Sequence, residues 1–171
     1  RKIPLGALGP IFSKASWSQV LKGKKVLVIH PFAKSIKRQY EFHRDKIFGE
    51  YSDFILPEFA SLQVIRAVQT IAGNTEGYET WFDALEQMES EIDKADFDVA
   101  LIGCGAYGFP LAAHCKRIGK LGIQIGGSLQ LYFGIKGKRW DDKGLYNEYW
   151  VSPDESEQPK NLSRVEGGCY W

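Results

Sequence analysis

The sequence predicts an α/β fold: a Rossmann-like, mainly parallel sheet flanked by helices, followed by an irregular C-terminal arm. Three observations predict it. Residues 25–30 (KVLVIH) and 98–103 (DVALIG) are short aliphatic, β-branched runs of the kind found in strands covered on both faces. Segments with helical spacing separate these runs, the alternation that gives a parallel sheet. Glycine or proline closes each run, as strand-to-helix turns require.

Taken in order, residues 25–30 follow Lys22-Gly23-Lys24 and stop at Pro31, which makes them the first strand. A helix is expected over 35–47, where Ile36, Tyr40, His43 and Ile47 share one face. Residues 62–68 read as a second strand, interrupted by Arg66. Trp81, Leu85, Met88 and Ile92 step by four, three and four, and Thr80 with Asp83 forms a capping pair, so a helix begins at 81. The third strand, 98–103, leads through a glycine-rich turn at 104–109 into a helix over 110–119. Leu111, Cys115 and Ile118 form its apolar stripe, Pro110 suits its first turn and Gly119 its end. A short strand over 121–125 ends at Gly126-Gly127, and a helix follows over 128–133. Beyond Gly134 periodicity fades, and 154–160, with prolines at 153 and 159, reads as an irregular arm.

A chain of 171 residues, 44% hydrophobic and 25% charged, suits one globular core. It opens on Arg1 and has a single methionine, Met88, so residues 1–16 read as a linker or the remnant of a longer chain and 17–171 as one α/β domain. The longest apolar runs are far short of the roughly 20 residues of a membrane helix. Cys104, Cys115 and Cys169 are odd in number and widely spaced, which argues against a disulfide framework or a zinc site and for a reducing, cytoplasmic location. Net charge is +1 but uneven: 11 Lys/Arg oppose Glu41 and Asp45 over 1–46, and 9 Asp/Glu oppose Lys94 over 76–98. The basic segment is compatible with an anionic ligand or with lysines that merely flank a strand. No nucleic-acid recognition motif accompanies it.

Gly103-Cys-Gly-Ala-Tyr-Gly108 has the form G-x-G-x-x-G with a strand before and a helix after. Glycines there permit a tight turn and close approach of backbone N–H groups to a phosphate. A dinucleotide, another phosphate-bearing ligand and a purely structural turn all satisfy the motif. The next strand ends Gln124-Ile-Gly-Gly127 without the acidic residue that holds an NAD ribose. Ligands of open parallel sheets lie beyond the carboxyl ends of the strands, which would collect His30, Ser35, the Gly103 turn and Gly126-Gly127-Ser128, with Lys34, Lys37 and Arg38 behind them. His30 reads as a base, a phosphate ligand or a structural histidine. Cys104 lies where turn amides would lower a thiol pKa, or where steric demand alone wants a small residue. Asp96-x-Asp98 has a metal-diphosphate form but begins its strand, and Asp141-Asp142 reads as a solvated turn or a group reaching the site.

Four segments, 26–32 (VLVIHPF), 100–108 (ALIGCGAYG), 126–140 (GGSLQLYFGIKGKRW) and 165–171 (VEGGCYW), together resemble a bacterial family similar to the GT-D-type glycosyltransferases found with surface-polysaccharide genes. The likeness spans 17–171. It implies a UDP-sugar or other nucleotide-sugar donor, a carbohydrate or lipid-linked acceptor, and a divalent metal (Mn or Mg) held by a D-x-E motif that the matched segments lack. It further implies that Gly103, Gly105, Tyr107 and Gly108 cradle phosphate or ribose. Gly126, Gly127, Ser128 and Gln130 would line the neighbouring turn, Lys138 and Arg139 would offset charge on the leaving diphosphate, and His30 would be the catalytic base. An NAD(P)-dependent Rossmann oxidoreductase and a non-catalytic nucleotide- or sugar-binding accessory domain are the alternatives. Tyr170-Trp171 is expected to pack back on the domain, closing the site or finishing the core.

Overall fold

A computed structural model describes Ile11 and residues 16–171, so the linker expected over 1–16 lies almost wholly outside the described residues. Four strands, β1 (Lys25–His30), β2 (Ser61–Arg66), β3 (Val99–Ile102) and β4 (Leu121–Gln124), form one sheet in the order β2-β1-β3-β4. Every pairing is parallel; Val28, for example, lies between Val64 and Leu101. The helices are α1 (Ala33–His43), α2 (Ser52–Ile55), α3 (Trp81–Lys94), α4 (Gly108–Arg117) and α5 (Ser128–Tyr132). This is the Rossmann-like α/β arrangement that the sequence predicts.

Strand alternation divides the core in two. Val26, Val28, Val99 and Leu101 face Ile36 of α1 and Leu129 of α5, whereas Leu27, Ile29, Ala100 and Ile102 face Met88 and Ile92 of α3 and Leu111 and Cys115 of α4. β1 and β3 are buried on both faces, which is why their sequences run almost continuously apolar. The chain winds from β1 outward to β2, then crosses back to β3 on the other side of β1. A topological switch point therefore lies between β1 and β3.

Local chemistry fixes the element ends. Thr80 Oγ1 accepts the Asp83 N–H at 3.2 Å and Asp83 Oδ2 accepts the Thr80 N–H at 2.8 Å, a reciprocal cap on α3. α1 ends at His43 rather than 47, and the Arg44 side chain just beyond it bonds Asp53 at 2.6 Å and the Leu56 carbonyl at 3.1 Å. Ile47 is nevertheless buried. β2 ends at Arg66, whose guanidinium makes a two-pronged contact with Glu76 at 2.7 and 2.9 Å. The C-terminal arm is irregular: 3-10 turns at Glu155–Glu157, Leu162–Arg164 and Glu166–Gly168 carry it back over the carboxyl edge of the sheet. Among the described residues, no helix is long and apolar enough to cross a membrane.

Candidate functional site

A cavity of about 530 Å³ opens at the switch point. The turns after all four strands reach it: His30 and Phe32 from β1, Gln69 and Thr70 from β2, Gly103 to Tyr107 from β3, and Gly126, Gly127 and Gln130 from β4. Trp81 adds a wall from α3, and Val165, Glu166, Tyr170 and Trp171 complete it from the C-terminal arm.

Gly103 is required by convergence. A Cβ there would lie 2.7 Å from the Gly126 carbonyl oxygen, 2.9 Å from His30 Cδ2 and 3.0 Å from Leu129 Cβ, so its absence lets three strand ends meet. Gly105 has φ +57° with open space around it, a conformational requirement rather than a steric one. Tyr107 stacks on Trp81, ring centroids 4.8 Å apart and planes 4° from parallel, while its hydroxyl hydrogen-bonds Thr70. Gly108, in contrast, does not border the cavity. It makes room for the Gln124 side chain, whose amide would overlap any Cβ, so the ligand role expected of Gly108 is replaced by helix-to-strand packing.

At the second glycine turn, Gly127 accommodates the chain's own Tyr170: a Cβ would fall 2.5 Å from Tyr170 Cε1. Ser128 is not on the lining; its hydroxyl donates to the Ile125 carbonyl at 3.2 Å. Gln130, 1% exposed, borders the cavity while its Nε2 donates to the carbonyls of Lys136 at 2.8 Å and Tyr170 at 3.0 Å. It thereby holds the arm in place. Arg139 lies at the rim rather than in the cavity, donating to the Tyr170 hydroxyl at 3.0 Å and pairing with Glu166 at 3.5 Å. Lys138 borders a separate, smaller depression.

His30 is 3% exposed, and its Nδ1 accepts the Phe32 N–H at 3.0 Å. That bond places the proton of the neutral ring on Nε2. Burial lowers the imidazole pKa to about 3. The ring is therefore a neutral hydrogen-bond donor, and the base role expected of it does not fit. Cys104 borders the cavity, but burial pushes its thiol up to about 12, which removes it as a nucleophile.

Two members of the basic cluster expected behind the site are engaged elsewhere. Lys34 pairs with Asp154 at 2.8 Å and Lys37 approaches Glu41 at 3.9 Å. The N-terminus of α1, a natural oxyanion site, is filled by Glu157, which accepts the Lys34 N–H at 2.6 Å and the Ser35 hydroxyl proton. Among the described residues, no lysine or arginine lines the main cavity.

Sequence reasoning missed Trp81, Gln69, Thr70 and Glu166 at the cavity. Trp81 was hidden in the helical stripe of α3, Gln69 and Thr70 lie on a loop without a motif, and Glu166, though within the 165–171 segment, has no partner residue in sequence to mark it. Asp96 and Asp98 sit at the opposite edge, where Asp96 pairs with Lys25 Nζ at 2.6 Å and Asp98 accepts the Lys25 N–H at 2.9 Å. The divalent metal implied by the resemblance finds no matching ligands among the described residues. Glu166 is the one carboxylate on the lining, and no group of three His, Cys, Asp or Glu is disposed to hold a cation.

Fold and site together define a Rossmann-like α/β domain with an aromatic-walled cavity at its switch point. In comparison with known proteins, no family model, no curated protein and no solved structure matches this chain.

Proposed function

We propose that this chain binds a nucleotide-sugar, a UDP-sugar by the resemblance above, and serves sugar transfer in surface-polysaccharide assembly. The observation that carries the reading is the parallel Trp81–Tyr107 pair forming one wall of a switch-point cavity of about 530 Å³. Such a volume suits a nucleoside with part of its sugar. A planar base or the apolar face of a pyranose gains about 1–3 kcal/mol from stacking on such rings. Gln69, Thr70, Gln130 and the Nε2–H of His30 supply neutral partners for hydroxyls and base edges. The absence of an acidic residue at the end of β4, where Gln124 stands, disfavours the NAD(P) alternative.

For the transfer step, Glu166 replaces His30 as the proton acceptor. An acceptor hydroxyl attacks the anomeric carbon, the bond from that carbon to the phosphate oxygen breaks with its electron pair leaving on the nucleoside diphosphate, and the hydroxyl proton passes to Glu166. The Arg139 ion pair at 3.5 Å orients that carboxylate. The same pairing favours a second reading, a binding domain without chemistry of its own, since a single engaged carboxylate is sparse catalytic equipment.

Calorimetric titration with UDP, UDP-glucose and NAD tests the proposal. UDP and UDP-glucose bind, Trp81→Ala weakens both at least tenfold, and NAD is silent. Silence from UDP and UDP-glucose, or UDP binding indifferent to Trp81→Ala, overturns it. Donor turnover abolished by Glu166→Gln supports transfer, and binding with no turnover supports the accessory reading.

A further inference from the structure

The smaller depression beside the main cavity has a volume of about 360 Å³, and Trp171 lines both. Its basic wall is Lys136-Gly137-Lys138. Gly137 is extended (φ −161°, ψ 136°), so the side chains on either side of it leave the backbone in the same direction. The segment is fixed along its length. Lys136 N–H donates to the Val151 carbonyl at 2.8 Å next to the Ile135–Val151 bridge, and the Tyr146 hydroxyl bonds Gly137 N–H at 3.2 Å and its carbonyl at 2.9 Å. A side chain at 137 would meet Gln130 Nε2 at 2.8 Å and the Tyr170 carbonyl at 3.0 Å, which leaves glycine as the residue that fits.

Neither Lys136 nor Lys138 makes an ion pair among the described residues. Lys136 Nζ lies 5.7 Å over the Tyr146 ring, a contact that leaves its N–H donors available, and Lys138 is exposed. Asp141 also borders the depression, so two lysines and one aspartate line it. Several other cations at this edge of the sheet are committed: Lys34 to Asp154, Arg66 to Glu76, Arg139 to Glu166, with the α1 N-terminus closed by Glu157.

We propose that Lys136 and Lys138 form an oxyanion site that takes a phosphate group, held in the depression alongside the main cavity. The inference stands on these residues and not on sugar transfer. The phosphate belongs either to the ligand of the main cavity, reaching past Trp171, or to a separate phosphate-bearing acceptor.

Calorimetric titration of inorganic pyrophosphate, UDP and uridine into the wild-type chain, the Lys136→Met/Lys138→Met double variant and a Lys143→Met control tests it. Lys143 pairs with Asp142 at 3.4 Å and does not line the depression. Pyrophosphate binds the wild type and the control, is weakened at least tenfold in the double variant, and loses affinity as salt rises. Parallel weakening of UDP with uridine unchanged assigns the phosphate to the nucleotide. UDP undiminished while pyrophosphate is lost assigns it to a second ligand. Pyrophosphate binding with UDP and uridine both silent upholds this site and defeats the nucleotide reading. No pyrophosphate binding to the wild type, equal binding by the double variant, or equal loss in the control overturns the oxyanion site.

Discussion

Glu157 accepts the backbone N–H of Lys34 at 2.6 Å, so a carboxylate of the C-terminal arm occupies the positive end of α1. Two further contacts bind the same arm: the Asp154 N–H donates to Ser35 Oγ at 3.0 Å, and Gln69 Nε2 donates to the Glu157 carbonyl at 3.2 Å. Glu157 is 5% exposed, and removing its carboxylate strands the N–H and hydroxyl donors it satisfies. Glu157→Ala is expected to destabilise the fold by about 1–3 kcal/mol, and Glu157→Gln by less because an amide oxygen keeps part of the set. Urea unfolding of the two variants beside the wild type measures this; an unchanged midpoint for Glu157→Ala contradicts it.

The two glycines of the second turn resist substitution for different reasons. Gly126 has φ +73° with nothing near its missing Cβ, so Gly126→Ala costs about 1 kcal/mol through the backbone wherever its neighbours lie. Gly127 has φ −61°, an ordinary value, and is constrained by the Tyr170 ring alone. Gly127→Ala is expected to destabilise by about 1–3 kcal/mol through overpacking. Tyr170→Leu should relieve most of that penalty in the double variant and none of the Gly126→Ala penalty. A double-mutant cycle in denaturant reads the coupling directly, and additive effects for Gly127→Ala with Tyr170→Leu refute the assignment.

The sheet was legible in the sequence because β1 and β3 are covered on both faces and so carry nearly unbroken apolar runs, while Thr80 and Asp83 mark the start of α3 by their own chemistry. The site was legible where backbone geometry dictates composition, at Gly103, Gly105 and Gly126. Side-chain roles were less so. Gly108 and Gly127 have the same identity as Gly103, yet one faces Gln124 and the other Tyr170, partners set by tertiary packing. The stack of Trp81 on Tyr107 joins residues far apart in the chain, and a helical stripe gives no sign of which aromatic at its edge will meet a loop. His30 and Lys34 were placed correctly at the carboxyl edge, but their function depends on Phe32 N–H and Asp154, contacts without a sequence pattern.

The three thiols should separate by reactivity. Burial pushes Cys104 up to about 12 and Cys115 up to about 11, so both are overwhelmingly protonated at neutral pH, whereas Cys169 is partly exposed. Iodoacetamide at pH 7.5 is expected to alkylate Cys169 in the native chain, with Cys104 and Cys115 labelled only after denaturation. Peptide mass spectrometry of native and denatured samples checks the order, and early labelling of Cys104 would restore it as a nucleophile.

His30 gives the fold a pH dependence of defined sign. Its imidazole titrates near 6.5 when the chain is unfolded and at about 3 when buried beside Phe32. Between those values the unfolded chain binds a proton that the folded chain refuses, so stability contributed by the neutral ring is complete above pH 6.5 and is lost as pH falls toward 3. The loss approaches about 1.4 kcal/mol per pH unit, which gives roughly 2 kcal/mol between pH 7 and pH 5. His30→Gln removes the titrating group while offering a neutral side chain to the same cavity. Its stability at pH 7 will be lower, but its decline from pH 7 to pH 5 will be shallower than that of the wild type by about that amount. Urea midpoints at the two pH values decide the matter. Equal slopes for wild type and variant would mean that the ring gains a proton in the folded state, and would return His30 to consideration as a base.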